Sequence, residues 1–531
     1  MVQQMRLKGS RRVAAPWRIR PLPDRMGIRT RRGVPHWLTL LGPSVGPGLL
    51  MIGIALIQAG RPVLSWDEIA TADAATRTPA QLWHLIHQVD AVFGAYYLFI
   101  HYWTALAGTS EIALRLPSIL AMGTAVALTG ELGRRYFGPL TGTVAGLLLC
   151  LMPNTSRYAA EARPYAFACF FALLALLLLH RAVHQPRPAR WIAYGTTVLL
   201  LGLSHVIALT TLAAHLVVIA QHRTRRILIA WGTTVGCALA ALTPLLWLGL
   251  HERDTQLFWV KPLTPGALLG LPGMLLGSVP AGWLLIGLAI LAVWQPRRHV
   301  TELTVMALVP VAVLATLSVL VAPYWVVRYL LIVLAPLALL AAAGLVQPFG
   351  PGPAPAAPVQ PTGAGYSSAG WRSRCTVALQ LVTALAVLGL AVLPDQRAVR
   401  GATAKIGSDY RTAAQLVGRF QEPGDGIIYT ARSRTMRTGL EYYLRHDPGR
   451  PRDLLLQRSA ADVGTLLAEE YSDPGEHLGH ATRIWLFAYG TEPDPAAARP
   501  DLRALRNRYQ PLRIWTLHDA TLALFLRQSG R

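Results

Sequence analysis

Charge is scarce in this chain. Of 531 residues, 15% are charged, against about 25% in a typical soluble domain, while 53% are apolar and mean hydropathy is +0.38. Intrinsic disorder needs low hydrophobicity, and a soluble multidomain enzyme does not run apolar for ~20 residues at a time. Both classes are excluded, and the chain reads as a polytopic membrane protein. Acids are the scarcest charge, 27 against 50 basic residues, and only three of the basic residues are lysine. Cysteine is also rare: Cys150, Cys169, Cys237 and Cys375 form no CxxC or Cys/His cluster, so neither a disulfide framework nor a thiolate metal site is indicated. The net charge of +23 raises nucleic acid as a partner. No aromatic interleaving or binding module accompanies it, and no nucleic-acid partner is expected.

What is present is organised by position. Residues 1–394 hold 30 Lys and Arg and 11 Asp and Glu, whereas 395–531 hold 20 and 16, which divides the chain into two domains. Residues 1–36 carry ten basic residues and one acid, Asp24, and read as a cytosolic tail, an orientation signal that touches anionic headgroups. The apolar runs 37–59, 112–133, 139–153, 164–183, 191–203, 205–221, 227–250, 281–294, 303–321, 326–346 and 376–394 are about eleven candidate spans. A further run, 91–107, holds Phe93, Tyr96, Tyr97, Phe99, Tyr102 and Trp103. Keeping it at the interface puts 22 of the 30 basic residues of 1–394 inside, as the positive-inside rule requires.

The C-terminus then falls outside, 60–111 forms a first outer loop with an interfacial helix, and the Pro/Gly-rich 347–375 becomes a cytosolic linker. The expected fold is an all-α polytopic bundle, 37–394, followed by a small extracytoplasmic α/β domain, 395–531. In that domain 426–430 and 484–487 read as strands and 398–420 and 437–446 as helices.

Carboxylates in a membrane domain are expensive and usually functional. The threading places Asp67, Glu68, Asp73, Asp90, Glu111, Glu161, Glu252 and Asp254 on the outer face. Asp73, Glu252 and Asp254 read as solvated loop charges, and His84, His87 and His101 lack metal-ligand spacing. Arg115, Arg163 and Arg328 share that face. A carboxylate can act as general base on a hydroxyl, guanidiniums grip phosphate, and aromatic faces stack on sugars. Together they suit a lipid-linked phosphate.

The motifs Trp66-Asp67-Glu68, Asp90-Ala-Val-Phe-Gly-Ala-Tyr96-Tyr97, Arg115-Leu-Pro-Ser118, Gly133-Arg-Arg-Tyr-Phe-Gly138 and Ser156-Arg-Tyr-Ala-Ala-Glu161-Ala-Arg163-Pro-Tyr165 follow one another in order. Their order and spacing resemble the bacterial branch of the GT-C glycosyltransferases, which includes protein O-mannosyltransferases and the lipid A aminoarabinose transferase. Similarity is strongest over 35–185, and Arg328-Tyr329 with Pro336 resembles a later motif. Phe93-Gly94 and Ala160 depart from the family pattern.

The resemblance implies an inverting glycosyltransferase of the bacterial cell membrane with a polyprenyl-phosphate sugar donor, mannose by default. The acceptor would be a protein, a glycolipid or a cell-wall polymer. It implies Asp67 as catalytic base with Glu68 beside it. Asp90, Tyr96, Tyr97, Arg115, Glu161, Arg163, Tyr165, Arg328 and Tyr329 would bind substrate. If a divalent cation such as Mg²⁺ or Mn²⁺ takes part, Asp67, Glu68, Asp90 and Glu161 are its candidate ligands. The competing readings are a transporter or flippase of lipid-linked sugars, and a non-catalytic GT-C-like membrane protein.

Overall fold

The computed structural model describes residues 36–346 and 368–528, apart from positions 58, 223, 432, 479–480, 492–493, 495, 497–498, 500 and 502. The basic tail and most of the 347–375 linker lie outside the described residues. Leu41–Arg531 form one compact unit; of Met1–Leu40, only the helical start at His36 is described.

Every apolar run marked in the sequence is helical over most of its described length. The helices are His36–Leu56, Glu111–Phe137, Pro139–Leu151, Tyr165–His184, Pro188–Ser204, Leu212–His222 after a short 3-10 lead, Arg225–His251, Val279–Ile290, Arg297–Leu320, Leu334–Val346 after another 3-10 lead, and Ser368–Ala398. By length and hydropathy, six among the described residues can cross a membrane: Glu111–Phe137, Tyr165–His184, Arg225–His251, Arg297–Leu320, Val327–Val346 and Leu379–Ala398. Pro139–Leu151, Pro188–Ser204, Leu212–His222 and Val279–Ile290 are shorter and rely on neighbours to satisfy their ends. Pro188–Ser204 stops where His205 turns extended, at φ −163° and ψ 116°.

Small residues let the first helices close on each other, as in membrane bundles generally. A Cβ on Gly133 would stand 2.8 Å from the Cα of Gly142.

The first outer loop is itself built of helices. Trp66–Thr76 opens with a capping box in which Ser65 and Glu68 satisfy each other's backbone N–H groups. Pro79–Ile86 follows, and then Gly94–Ala107. That last helix has 14 residues, about 21 Å at 1.5 Å per residue and short of a ~30 Å hydrocarbon core.

Beyond the bundle lies an α/β domain with a five-stranded sheet, order β2-β1-β5-β7-β6. Strands β1 (Gly426–Tyr429), β2 (Arg452–Asp453) and β5 (Arg483–Tyr489) are parallel; β7 (Ala520–Arg527) and β6 (Tyr509–Leu517) complete it antiparallel. A separate pair joins β3 (Leu456–Arg458) to β4 (Glu469–Glu470). Both strands read from the sequence are present, and the second helix forms as Met436–Leu444.

The helix read over 398–420 is corrected: only Tyr410–Phe420 is a separate helix. The backbone before it bonds to the first loop instead, through Val63 N–H to Ala402 O at 2.9 Å and Trp66 N–H to Ile406 O at 3.0 Å. Gly407 there holds φ +151° with Trp66 close by, which a side chain would strain.

The domain is anchored by polar contacts to the loop. Arg411 donates to both oxygens of Glu111, Tyr443 donates to the same carboxylate, and Tyr442 donates to Thr109 O at 2.6 Å. Arg77, almost fully buried, reaches Asp73 and Thr465 O, both at 2.6 Å. Asp73 is therefore a structural tie rather than a solvated charge, and Glu111 is a tie as well.

The deepest tie is a buried ionic node. Glu68 is fully buried and accepts from Arg115 Nε at 2.8 Å, Arg115 Nη2 at 2.9 Å, Lys405 Nζ at 2.8 Å and Ala162 N at 3.0 Å. Arg115 gives its remaining donors to Ala59 O, Pro62 O and Val63 O, and Lys405 also donates to Ala160 O. Removing one member of such a node leaves an uncompensated buried charge. Arg115→Met should therefore cost about 3–5 kcal/mol and lower the thermal unfolding midpoint of the detergent-solubilised chain. An unchanged midpoint would refute this role.

Candidate active site

Asp67 sits one residue after the start of Trp66–Thr76, and successive helical residues point about 100° apart. Glu68 therefore turns into the node while Asp67 faces a cavity of about 570 Å³. Arg328 Nη2 stands 3.3 Å from Asp67 Oδ2. Burial alone would raise the Asp67 pKa, but Arg328 and then Arg163 outweigh it and hold the carboxyl below its ordinary value of 3.8. Glu161 lines the same cavity, and burial raises its pKa despite the pull of Lys405. Burial also pulls the Lys405 ammonium down to about 8, helped by Arg115 and resisted by Glu68.

A second network lines the wall. Asp90 is held at φ 62°, a left-handed conformation uncommon for a non-glycine residue. It accepts from Tyr97 OH and from Gln256 Nε2, each at 2.6 Å. Arg163 donates to the same Tyr97 oxygen at 3.2 Å and lies 3.8 Å over the Phe93 ring. Glu252 accepts from Ala91 N at 2.9 Å; it is a brace for this turn, not a solvated charge. The side chain of Asp254 lies outside the described residues.

Five residues expected at a site thus share one cavity with Asp67: Asp90, Glu161, Arg163, Arg328 and Tyr329. The rest stand elsewhere. Glu68 and Arg115 are consumed by each other, so neither offers a free group to a substrate. Tyr97 braces Asp90 from behind. Tyr96 packs against Phe167, with ring centroids 6.0 Å apart. Tyr165 lies under the Arg328 guanidinium, 5.9 Å from ring centre to Cζ.

The four carboxylates considered for Mg²⁺ or Mn²⁺ do not converge as ligands. Glu68 is neutralised by two cations, Asp90 accepts hydrogen bonds from Tyr97 and Gln256, and no group of three His, Cys, Asp or Glu side chains among the described residues is arranged for a metal.

Several cavity residues escaped the sequence reading. Arg157 lines it, as do Gln256 and Trp259, whose ring lies 5.3 Å from Arg328 Cζ. Arg434, Thr435 and Thr438 enter from the segment that follows β1, and Tyr489 from the end of β5, 5.6 Å from the Trp66 ring. Both places are carboxyl ends of parallel strands, where open α/β sheets place ligands. Lys405 gave a faint signal, being one of three lysines among 50 basic residues.

The Nε atoms of Arg157, Arg163 and Arg328 are buried without a hydrogen-bond partner. Three guanidiniums around one cavity with donors to spare suit an anion with several oxygens, as phosphate has.

Comparison with known proteins agrees with this architecture. Residues 95–249 match the family model of dolichyl-phosphate-mannose-protein mannosyltransferase. ArnT from Cupriavidus metallidurans in the apo state is similar in structure, at 13% identity and a TM-score of 0.54, covering 90% of this chain and 98% of that one. ArnT from the same organism bound to undecaprenyl phosphate is similar at 14% identity and a TM-score of 0.51, covering 91% and 98%. No curated protein matches by sequence. The structural likeness shows a shared fold, and the family model covers less than half of the chain.

The Asp67 and Arg328 pairing has a testable sign. A carboxyl with a depressed folded pKa adds stability that is complete above its unfolded value, near 3.8, and lost as pH falls through the folded value. Arg328→Gln leaves burial dominant and should raise the Asp67 pKa. Acidification from pH 6 should then remove less stability from Arg328→Gln than from wild type, or add some, when unfolding midpoints are compared, ~pH 3–5 being the decisive window. The difference should vanish in an Asp67→Asn background. Identical profiles for wild type and Arg328→Gln would refute the pairing.

Proposed function

We propose that this chain is a membrane glycosyltransferase that moves a sugar from a polyprenyl phosphate to an acceptor hydroxyl with inversion. The observation that carries this reading is the cavity itself: one pocket brings a carboxylate, Asp67, beside arginines whose buried donors are unpartnered. The bundle supplies apolar surface for a lipid tail, and the similar ArnT structure bound to undecaprenyl phosphate supports a lipid-linked donor. The family match over 95–249 supports mannose as the first sugar to test. A protein, glycolipid or cell-wall polymer remains the acceptor class. The bundle is read as spanning the bacterial cell membrane with the cavity on the outer side.

In this reading the donor phosphate lies against Arg157, Arg163 and Arg328. Asp67 accepts the proton of the acceptor hydroxyl as its oxygen bonds to the anomeric carbon from the face opposite the phosphate. The bond from that carbon to the phosphate oxygen breaks, its electron pair stays on the phosphate, and the arginines stabilise the charge that develops there. Asp67 remains ionised beside Arg328 and is ready to accept a proton at neutral pH. Glu68 and Arg115, proposed from sequence as catalytic and phosphate-binding, instead act as positioning residues for the helix that carries Asp67. Arg157 joins the binding set.

The test is transfer of label from polyprenyl-phosphate mannose to a bacterial membrane extract by the purified chain. Asp67→Asn should lower the turnover number by about 10²–10⁴ with the fold intact. Equal transfer by wild type and variant would remove Asp67 as base. Absence of transfer by wild type across mannose and aminoarabinose donors would overturn the proposed reaction.

A further inference from the structure

A second recess of about 660 Å³ lies away from the Asp67 cavity, along the helices His36–Leu56, Pro139–Leu151 and Ser368–Ala398. Its walls are apolar, with Ile54, Leu151, Val392 and Leu393 among them, and Gly389 lies in its lining. Its character changes at one end. There Arg61, Arg397 and Arg400 line it, and none of the three forms an ion pair among the described residues. Arg400 donates to Gln396 Oε1 at 2.6 Å. This is the end of the bundle that holds the first loop and the active cavity. Under the proposed orientation it faces outward, where basic residues are disfavoured unless they have a task.

We propose that this recess binds an anionic phospholipid, with an acyl chain along the apolar wall and the phosphate between the three guanidiniums. The occupant must be amphipathic because the wall is apolar and one end is cationic. An anionic headgroup matches the three arginines in charge, with Arg61 and Arg397 exposed and Arg400 half-buried at the mouth of the recess. It is not a reactant, because no residue lines both this recess and the Asp67 cavity. Glycine at 389 keeps room for the chain: a Cβ there would meet only Leu151 Cδ2, at 3.5 Å, so a larger side chain fits sterically but occupies the groove.

The headgroup end is also wired to the active cavity. Gln396, held by Arg400, accepts from Ser156 Oγ at 2.9 Å and donates to Leu151 O at 2.7 Å. Ser156 precedes Arg157, which lines the Asp67 cavity. A bound phosphate that orders Arg400 thereby steadies the short helix Pro153–Ala159 that carries Arg157.

The experiment is native mass spectrometry of the full detergent-purified chain with added phosphatidylglycerol, phosphatidylcholine or undecaprenyl phosphate. Wild type should retain one phosphatidylglycerol in preference to phosphatidylcholine. The triple variant Arg61→Gln/Arg397→Gln/Arg400→Gln should weaken that retention about a hundredfold, at roughly 1 kcal/mol per basic residue near a lipid surface. The corresponding triple lysine variant should restore it. Gly389→Leu should abolish retention with all three arginines in place, which keeps the test decisive if the glutamine variant fails to fold.

Equal retention of both phospholipids, or undiminished phosphatidylglycerol binding in Gly389→Leu, overturns the proposal. Undecaprenyl phosphate retained by wild type and lost only in these groove variants would overturn it by making the recess a donor site. The readout is binding alone, so failure here leaves the glycosyl-transfer reading standing, and failure of that reading leaves this one standing.

Discussion

A fully buried carboxylate is the constraint on which the rest of this structure depends. Glu68 is removed from water, and a buried ion is tolerable only when its oxygens are matched by charges and donors. Arg115, Lys405, Ala162 N–H and Ser65 N–H provide that match. These four partners come from four separate stretches of chain: the helix Glu111–Phe137, the segment before Tyr410, the turn after Pro153–Ala159, and the cap of the first-loop helix. Satisfying one carboxylate therefore fixes the loop, the bundle and the α/β domain against one another. Asp67, the preceding residue on the same short helix, is aimed as a consequence.

The two adjacent carboxylates show how a fold divides labour between like groups. Glu68 has its charge matched on every side and has no capacity left for a substrate. Asp67 meets Arg328 at 3.3 Å while its surroundings stay open toward the cavity. Around it, guanidinium groups lie over aromatic rings, Arg163 on Phe93 and Arg328 near Trp259. Such contacts hold a cation in place without neutralising it, leaving its field available to an incoming anion. A site whose dipoles and charges are already oriented does not have to reorganise during reaction.

Much of the fold was legible because its determinants are local. Hydropathy marked the helices, including the break at Gly202–His205, since an apolar run needs no distant information to become a buried helix. The motifs also marked Asp67, Asp90, Glu161, Arg163, Arg328 and Tyr329, which converge on one cavity. The exceptions have a common cause. The sequence reading gave Arg115 to phosphate because arginine at a helix start on the outer face suits that task. It could not see that three loop carbonyls and Glu68 would use every donor. The residues before Tyr410 read as helix by pattern, yet their backbone N–H and C=O groups found partners in the loop at 63–66. Arg434, Thr435, Thr438 and Tyr489 carry no motif at all and reach the cavity only because the sheet places its strand ends over it.

By itself, then, the sequence determined the solvent of this protein and the positions of its helices. It also determined the short set of acids and arginines from which a site could be built. Those properties follow from composition and from patterns a few residues long. Tertiary structure decided which of those charged groups are free to act. Glu68 is paired with a residue 47 positions away and with another 337 positions away. Coulomb energy depends on distance in space and on the loss of water, and sequence separation fixes neither. That is why two neighbouring acids, indistinguishable in the chain, became a structural anchor and a candidate base.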